Sequence, residues 1–226
     1  KYYFPNDMET RLTNLTRAGE WERVREYLAE LEDQNFVRRQ LPPDMLRLFV
    51  YEVYGSLVKL SQELPQEDEG IDSRINETVK RMESYEDCQA AYELLKETFR
   101  RICESADSRK KSRNEKLLRR VVECVQASLY SESLTLAQVA EQIQVSEVYL
   151  SQFFKEQMGE TFTAYLERNR MEKALQLLNE TEIPVKDIAA MVGYSSSNTF
   201  GRAFKRVYGM SAMAYRTTAR SNPTVE

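Results

Sequence analysis

The sequence predicts an all-α protein in two parts, on three observations. Only 7 of its 226 residues are Gly and 6 are Pro, and the stretches between them are rich in Leu, Glu, Arg, Ala and Gln, which lose little rotamer freedom in a helix. Apolar residues recur at three- and four-residue spacing along most of the chain, the period of a helix with one buried face. Charge divides the chain as well: residues 1–109 hold 16 Lys and Arg against 23 Asp and Glu, a net −7, whereas residues 110–226 hold 16 against 13, a net +3. A chain of this length has room for two small domains, each with its own core.

The acidic half opens with Tyr2-Tyr3-Phe4, an apolar start expected to pack on the second helix or to continue into a preceding segment. Asn6 is placed to cap a first helix whose Met8, Leu12 and Leu15 share a face, and Gly19 ends it. A second helix is expected over residues 20–38, with Trp21, Val24, Tyr27, Leu28 and Leu31 at helical spacing. Pro42 and Pro43 precede a third, over residues 44–64, which is apolar nearly all round through Met45, Leu48, Phe49, Val53, Leu57, Val58 and Leu60 and is the expected central helix of this half. Residues 63–72 carry Pro65, Gly70 and five carboxylates without the ligand spacing of a calcium loop, and read as a solvated acidic loop. Further helices are expected over 73–84 and 85–104.

The charged, polar stretch 105–114 is the expected domain boundary. The division is an acidic helical relay or dimerisation domain over 1–106, a linker over 107–116 and a second domain over 117–220. The chain begins at Lys1 rather than Met, and it reads as a piece of something longer.

Several function classes lose their usual residues. Histidine is absent, which removes the commonest general base near neutral pH and the commonest zinc ligand. Cys88, Cys103 and Cys124 are odd in number, form no CxxC pair and read as small core residues of a reduced chain. The carboxylate pair Glu67-Asp68 lies in a polar loop with no evident cause for a raised pKa. No enzyme, cofactor or metal site is expected. No run of about 18 apolar residues and no signal-peptide core is present, so a cytoplasmic chain is expected.

The basic half repeats itself. Phe154-Lys155, Gly159 and Ala164-Tyr165 recur 50 residues later as Phe204-Lys205, Gly209 and Ala214-Tyr215; upstream, Ala140, Ile143 and Ser146 match Ala189, Val192 and Ser195 at an offset of 49. A small Ala in a short helix lets a second helix cross it closely, and the brief turns Gln144-Val145 and Gly193-Tyr194 set a steep crossing. The pattern is that of a helix-turn-helix, once over 135–158 and again over 184–209. In each second helix Leu150, Phe153 and Phe154, or Phe200, Ala203 and Phe204, fill the core side. The other side stays polar, with Ser151, Gln152 and Lys155, or Ser197, Asn198, Gly201 and Arg202. Such side chains can read base edges in a major groove, and Gly allows close approach.

From about Leu117 to Arg216 these residues resemble the DNA-binding domain of AraC-type transcriptional regulators, in which two helix-turn-helix units are joined by one long helix. The resemblance rests on Ile188-Ala189-x-x-Val192-Gly193-Tyr194, Phe200, Arg202-x-Phe204-Lys205 and Tyr208-Gly209-x-Ser211. Ala212 stands where the family usually has Pro, and Gly201 where it has Ser.

The resemblance implies that Val148, Ser151 and Gln152 face a groove from the first recognition helix, residues 146–157, while Lys155 meets phosphate. Where relatives often carry Arg this chain has Gln152, which favours adenine over guanine. From the second helix, residues 196–208, it implies Ser196, Ser197, Asn198, Gly201, Arg202 and Lys205, with Arg202 on guanine or phosphate. Arg168, Arg170 and Lys173 of the linking helix, residues 161–178, are implied phosphate contacts.

The first half resembles the cytoplasmic helical segment of some large AraC-type regulators of Gram-positive bacteria that carry an extracellular sensor and membrane helices upstream. That likeness rests on Asn35-Phe36-Val37-Arg38-Arg39 after a Gly-Glu-x-x-x-Val helix; a response-regulator receiver upstream is the competing context. The expected function is sequence-specific regulation of transcription, with double-stranded promoter DNA, RNA polymerase and a second copy of the chain as partners and no small-molecule site in this piece. The alternative is a helical protein–protein adaptor that binds no DNA.

Overall fold

The computed structural model describes residues 1–62 and 73–221; the acidic loop expected over 63–72 lies outside the described residues. All regular structure among the described residues is helical, and the chain divides into two compact units, Lys1–Arg113 and Asn114–Glu226.

In the first unit α1 (Met8–Ala18), α2 (Trp21–Glu32), a π-helical turn (Asp33–Arg38), α3 (Pro43–Ser61), α4 (Ser73–Lys80) and the first part of α5 (Tyr85–Ser128) follow in order. Pro42 and Pro43 begin α3 because a residue at a helix start has no intrahelical partner for its N–H to lose. Asp7 rather than Asn6 stands at the start of α1. The expected central helix α3 buries Leu46, Phe49, Val50, Val53, Leu57 and Leu60, while Leu48 stays exposed. Phe49 meets Tyr92 of α5 with ring centroids 5.3 Å apart, and Phe36 packs edge-on against Phe49 and Tyr85. Such aromatic contacts add to the area they bury. The Tyr92 hydroxyl donates to the Leu28 carbonyl at 2.7 Å, and burial pushes its pKa well up, so it remains a donor.

Two expectations are corrected here. The helix expected to run to residue 38 widens at Asp33 into the π-helical turn. Within that turn Asn35 is fully buried and its amide acts as a backbone partner for the chain start: Oδ1 accepts the Tyr3 N–H at 2.6 Å, and Nδ2 donates to the Tyr3 carbonyl at 2.9 Å and to the Leu31 carbonyl at 2.8 Å. Tyr2 packs on Phe49 of α3, and the Tyr3 hydroxyl reaches Glu30 of α2. The stretch 105–114, where the division between the two compact units falls, also continues α5 beyond the helix end expected at residue 104. It contains neither Gly nor Pro, and Lys111 pairs with Asp107 at 2.7 Å across one helical turn, so polarity alone does not end the helix.

The second unit holds the rest of α5, then α6 (Leu136–Ile143), α7 (Glu147–Met158), α8 (Phe162–Glu180), α9 (Val185–Met191), α10 (Ser197–Tyr208) and α11 (Ala212–Ser221). It has two lobes with separate apolar cores. Val121, Val125, Val139, Leu150, Phe154 and Tyr165 belong to one, and Met171, Ala174, Leu178, Ile188, Phe200 and Phe204 to the other. Helix α8 serves both, its first turns the one and its later turns the other.

Two substitutions test the first unit. Gly19 sits at φ +75°, and a Cβ there would lie 2.8 Å from the Asp107 backbone nitrogen, so Gly19→Ala is expected to cost on the order of 1–3 kcal/mol. Asn35→Ala strands buried backbone groups and is expected to cost about 1–3 kcal/mol. Urea unfolding reads both; an unchanged midpoint in either would contradict the packing described.

Candidate nucleic-acid interface

Helices α7 and α10 are built alike. Each has 12 residues. The Ser146 hydroxyl accepts from the Tyr149 N–H at 3.2 Å and that of Ser196 from the Thr199 N–H at 3.1 Å, which satisfies donors that a helix start leaves open. Gly159 at φ 74° and Gly209 at φ 76° end them, their N–H groups returning to the carbonyls of Lys155 and Lys205. Ser196 is therefore the counterpart of Ser146, and not Ser195 as the sequence register suggests.

The turns before the two helices correspond up to one residue. Gln144 and Gly193 both adopt positive φ, 62° and 85°, and the next N–H groups, of Val145 and Tyr194, both return 3.0 Å to the carbonyls of Ala140 and Ala189. Ser195 is the added residue.

This punctuation leaves the N-terminal faces of both helices in solvent. Val148 is 80% exposed, and Ser151, Gln152 and Lys155 beside it are exposed. Gln152 donates to Glu156 at 2.8 Å, a contact within its own helix. On α10, Ser196, Ser197, Asn198, Arg202 and Lys205 are exposed and Gly201 is half-buried. The Ser196 hydroxyl is engaged in capping and with Thr199 Oγ1 at 2.9 Å. Among the described residues Lys155, Arg202 and Lys205 form no ion pair, in contrast to Arg206, which is paired with Glu167 of α8. Three cations with no counter-charge on faces of this kind suit a polyanion.

The three cations of α8 differ from one another. Arg168 is exposed but paired with Glu160 at 2.7 Å and Glu172 at 3.3 Å. Lys173 is half-buried and donates to Gln176 at 2.9 Å. Arg170 is buried and is removed from the implied phosphate contacts. It is 8% exposed, and its Nε, Nη1 and Nη2 donate to the carbonyls of Leu129, Gly193 and Ser131 at 2.9, 3.0 and 2.7 Å. Burial lowers its pKa from the ordinary arginine value.

Sequence reasoning missed a cleft of about 440 Å³ between α8 and α10, where Thr163, Glu167, Tyr194, Arg202 and Arg206 come together. Glu167 and Arg206 lie 39 residues apart, beyond any helical periodicity that could signal their pairing.

The cysteines are free. Cys88 and Cys103 are buried in the first unit's core, and burial pushes the Cys103 thiol up to about 11, away from the thiolate a nucleophile needs.

Comparison with known proteins matches residues 139–218 to a family described as a helix-turn-helix domain. The uncharacterized HTH-type transcriptional regulator YtdP of Bacillus subtilis is 25% identical over 224 residues, 98% of this chain and 28% of that protein. The HTH-type transcriptional activator RhaR of an Enterobacter species is 33% identical over 123 residues, 54% of this chain and 43% of its own length. Among solved structures, the C-terminal domain of AraT, a response regulator from Geobacillus stearothermophilus, is 40% identical, with 48% of this chain and 89% of that domain covered and a TM-score of 0.44. The chain thus spans less than half the length of these two curated relatives. With the doubled unit, its second-copy signature and these regulators as relatives, the chain belongs to the AraC/XylS family through an AraC-type helix-turn-helix domain in its second unit.

Proposed function

We propose that this chain is a sequence-specific DNA-binding regulator of transcription that lays α7 and α10 in successive major grooves of one duplex, under the control of a sensor elsewhere in the full-length protein. The observation that carries the reading is the pair of serine-capped helices with exposed N-terminal faces and three cations left without counter-charges. Helix α8, with 19 residues, spans about 28 Å at 1.5 Å per residue. Successive grooves on one face lie about 34 Å apart, a difference that side chains make up.

In this reading Gln152 breaks its contact with Glu156 to pair with adenine, and exposed Val148 packs on a thymine methyl. Arg202 reads guanine or holds a phosphate, and Lys155 and Lys205 hold phosphates. RNA polymerase is the further partner of such a regulator. No helix among the described residues is long and apolar enough to cross a membrane.

The first unit is proposed to dimerise. Between α2 and α5 it has a cleft of about 830 Å³ walled by Trp21, Leu28, Ala29, Ala90 and Leu94. Arg25, Lys96 and Arg100 on its rim are balanced by Glu32, Glu93 and Glu97. A rim with both signs in equal number does not repel a copy of itself, as an isologous interface requires. Pairing two copies offsets the modest net charge of the second half by raising the effective concentration at adjacent sites.

Selection from a random duplex library with the purified chain is expected to yield two short motifs about one helical turn apart. Arg202→Ala is expected to lower affinity by roughly 10- to 100-fold and relax one position of the motif, whereas Lys155→Ala and Lys205→Ala weaken all sequences alike and each reduce the salt slope by about 1. Salt-independent or absent affinity for DNA would favour the adaptor reading. In sedimentation, Leu94→Glu is expected to turn a concentration-dependent dimer into a monomer, and a wild-type chain that stays monomeric throughout would exclude dimerisation through this face.

A further inference from the structure

The two lobes of the second unit share no core residue. The apolar set of the first lobe draws on α8 up to Leu166, and that of the second begins on α8 at Met171. Between them stands Arg170, and the three carbonyls it binds come from both sides: Leu129 and Ser131 just beyond the end of α5 in the first lobe, and Gly193 in the turn ahead of α10 in the second. Its guanidinium also lies 5.8 Å from the centroid of the Tyr194 ring, in the same turn. A Cβ at Gly193 would come within 2.9 Å of the guanidinium carbon, so Gly193 leaves the room this contact needs.

We infer that Arg170 is a positioning residue that fixes the offset between the two recognition helices and thereby the spacing of the DNA half-sites the chain accepts. The inference rests on the DNA-binding reading above for its last step alone. A planar fork with donors in fixed directions suits this task, because each carbonyl it holds constrains angle as well as distance. Carbonyls just past a helix C-terminus carry excess negative potential, so the buried charge meets a partner that is itself fixed to the first lobe. Without the fork, the lobes remain joined by a continuous α8 and keep their own cores, while the angle between them loses its polar stop. Lysine, with one compact head, cannot hold three carbonyls in this arrangement.

The test uses the full chain with Cys124→Ser and spin labels at Gln157→Cys on α7 and Val207→Cys on α10. Cys88 and Cys103 are buried and stay unlabelled. Wild-type Arg170 is expected to give one narrow label-to-label distance. Arg170→Met, and Arg170→Lys should the first variant fold poorly, are expected to broaden it at least twofold while helical content is retained. In duplex selection the same variants are expected to keep both half-motifs but accept spacings one base pair longer or shorter within threefold of the best.

A folded variant with an unbroadened distance and a single preferred spacing would overturn the inference. A wild-type chain that selects no paired motif would refute the DNA-binding reading, and the distance measurement would still decide the role of Arg170.

Discussion

One buried guanidinium bridges the two lobes of the second unit, whose apolar cores are separate. Burying a charge is costly unless it is hydrogen-bonded, and each of the three guanidinium nitrogens of Arg170 donates to a carbonyl, the three coming from two lobes. The interaction is charge-assisted and directional, which a seam of apolar side chains would not be. Removing it would leave three carbonyls without this donor in a region of low dielectric. The doubled motif thus behaves as two small domains whose mutual geometry is set by hydrogen bonds, and whose individual stability comes from Phe154 and Phe204 in separate cores.

Within each lobe the same local chemistry produces the same result twice. A serine opens the exposed helix, a glycine closes it, and a left-handed residue ahead of it makes the turn. The first turn uses Gln144 for the left-handed position and the second uses Gly193. The difference has a packing reason: only the second turn lies against Arg170, and there a Cβ has no room. What differs between the exposed faces is their chemistry. The first offers an apolar Val148 beside an amide, and the second offers hydroxyls, an amide and an unpaired Arg202, so the two faces suit different base sequences.

In the first unit most of the buried positions of α2 and α3 were legible, because Leu28, Leu31, Phe49, Val53 and Leu57 repeat at the helical period and are all buried. Asn35 was not. A polar residue in a helical run reads as solvent-facing, and its burial follows from a partner 32 residues away, the backbone of Tyr3. The same limit explains the interface. The exposed residues of α7 and α10 follow from helical phase and the repeat, so most of them lie where the pattern put them. Arg170 sits on a helix whose neighbours Arg168 and Lys173 are polar as well, and nothing local distinguishes the cation that turns inward.

The amino-acid sequence by itself determined the all-α class, the duplicated unit with its shared glycines, and the polar faces of its second helices. These depend on contacts within a turn or two of the chain, where residue type and period suffice. Tertiary structure decided the π-helical turn around Asn35, the pairing of Arg206 with Glu167 and the withdrawal of Arg170 from the surface. A buried polar group is placed by partners distant in sequence, and only the folded chain brings those partners within hydrogen-bond reach.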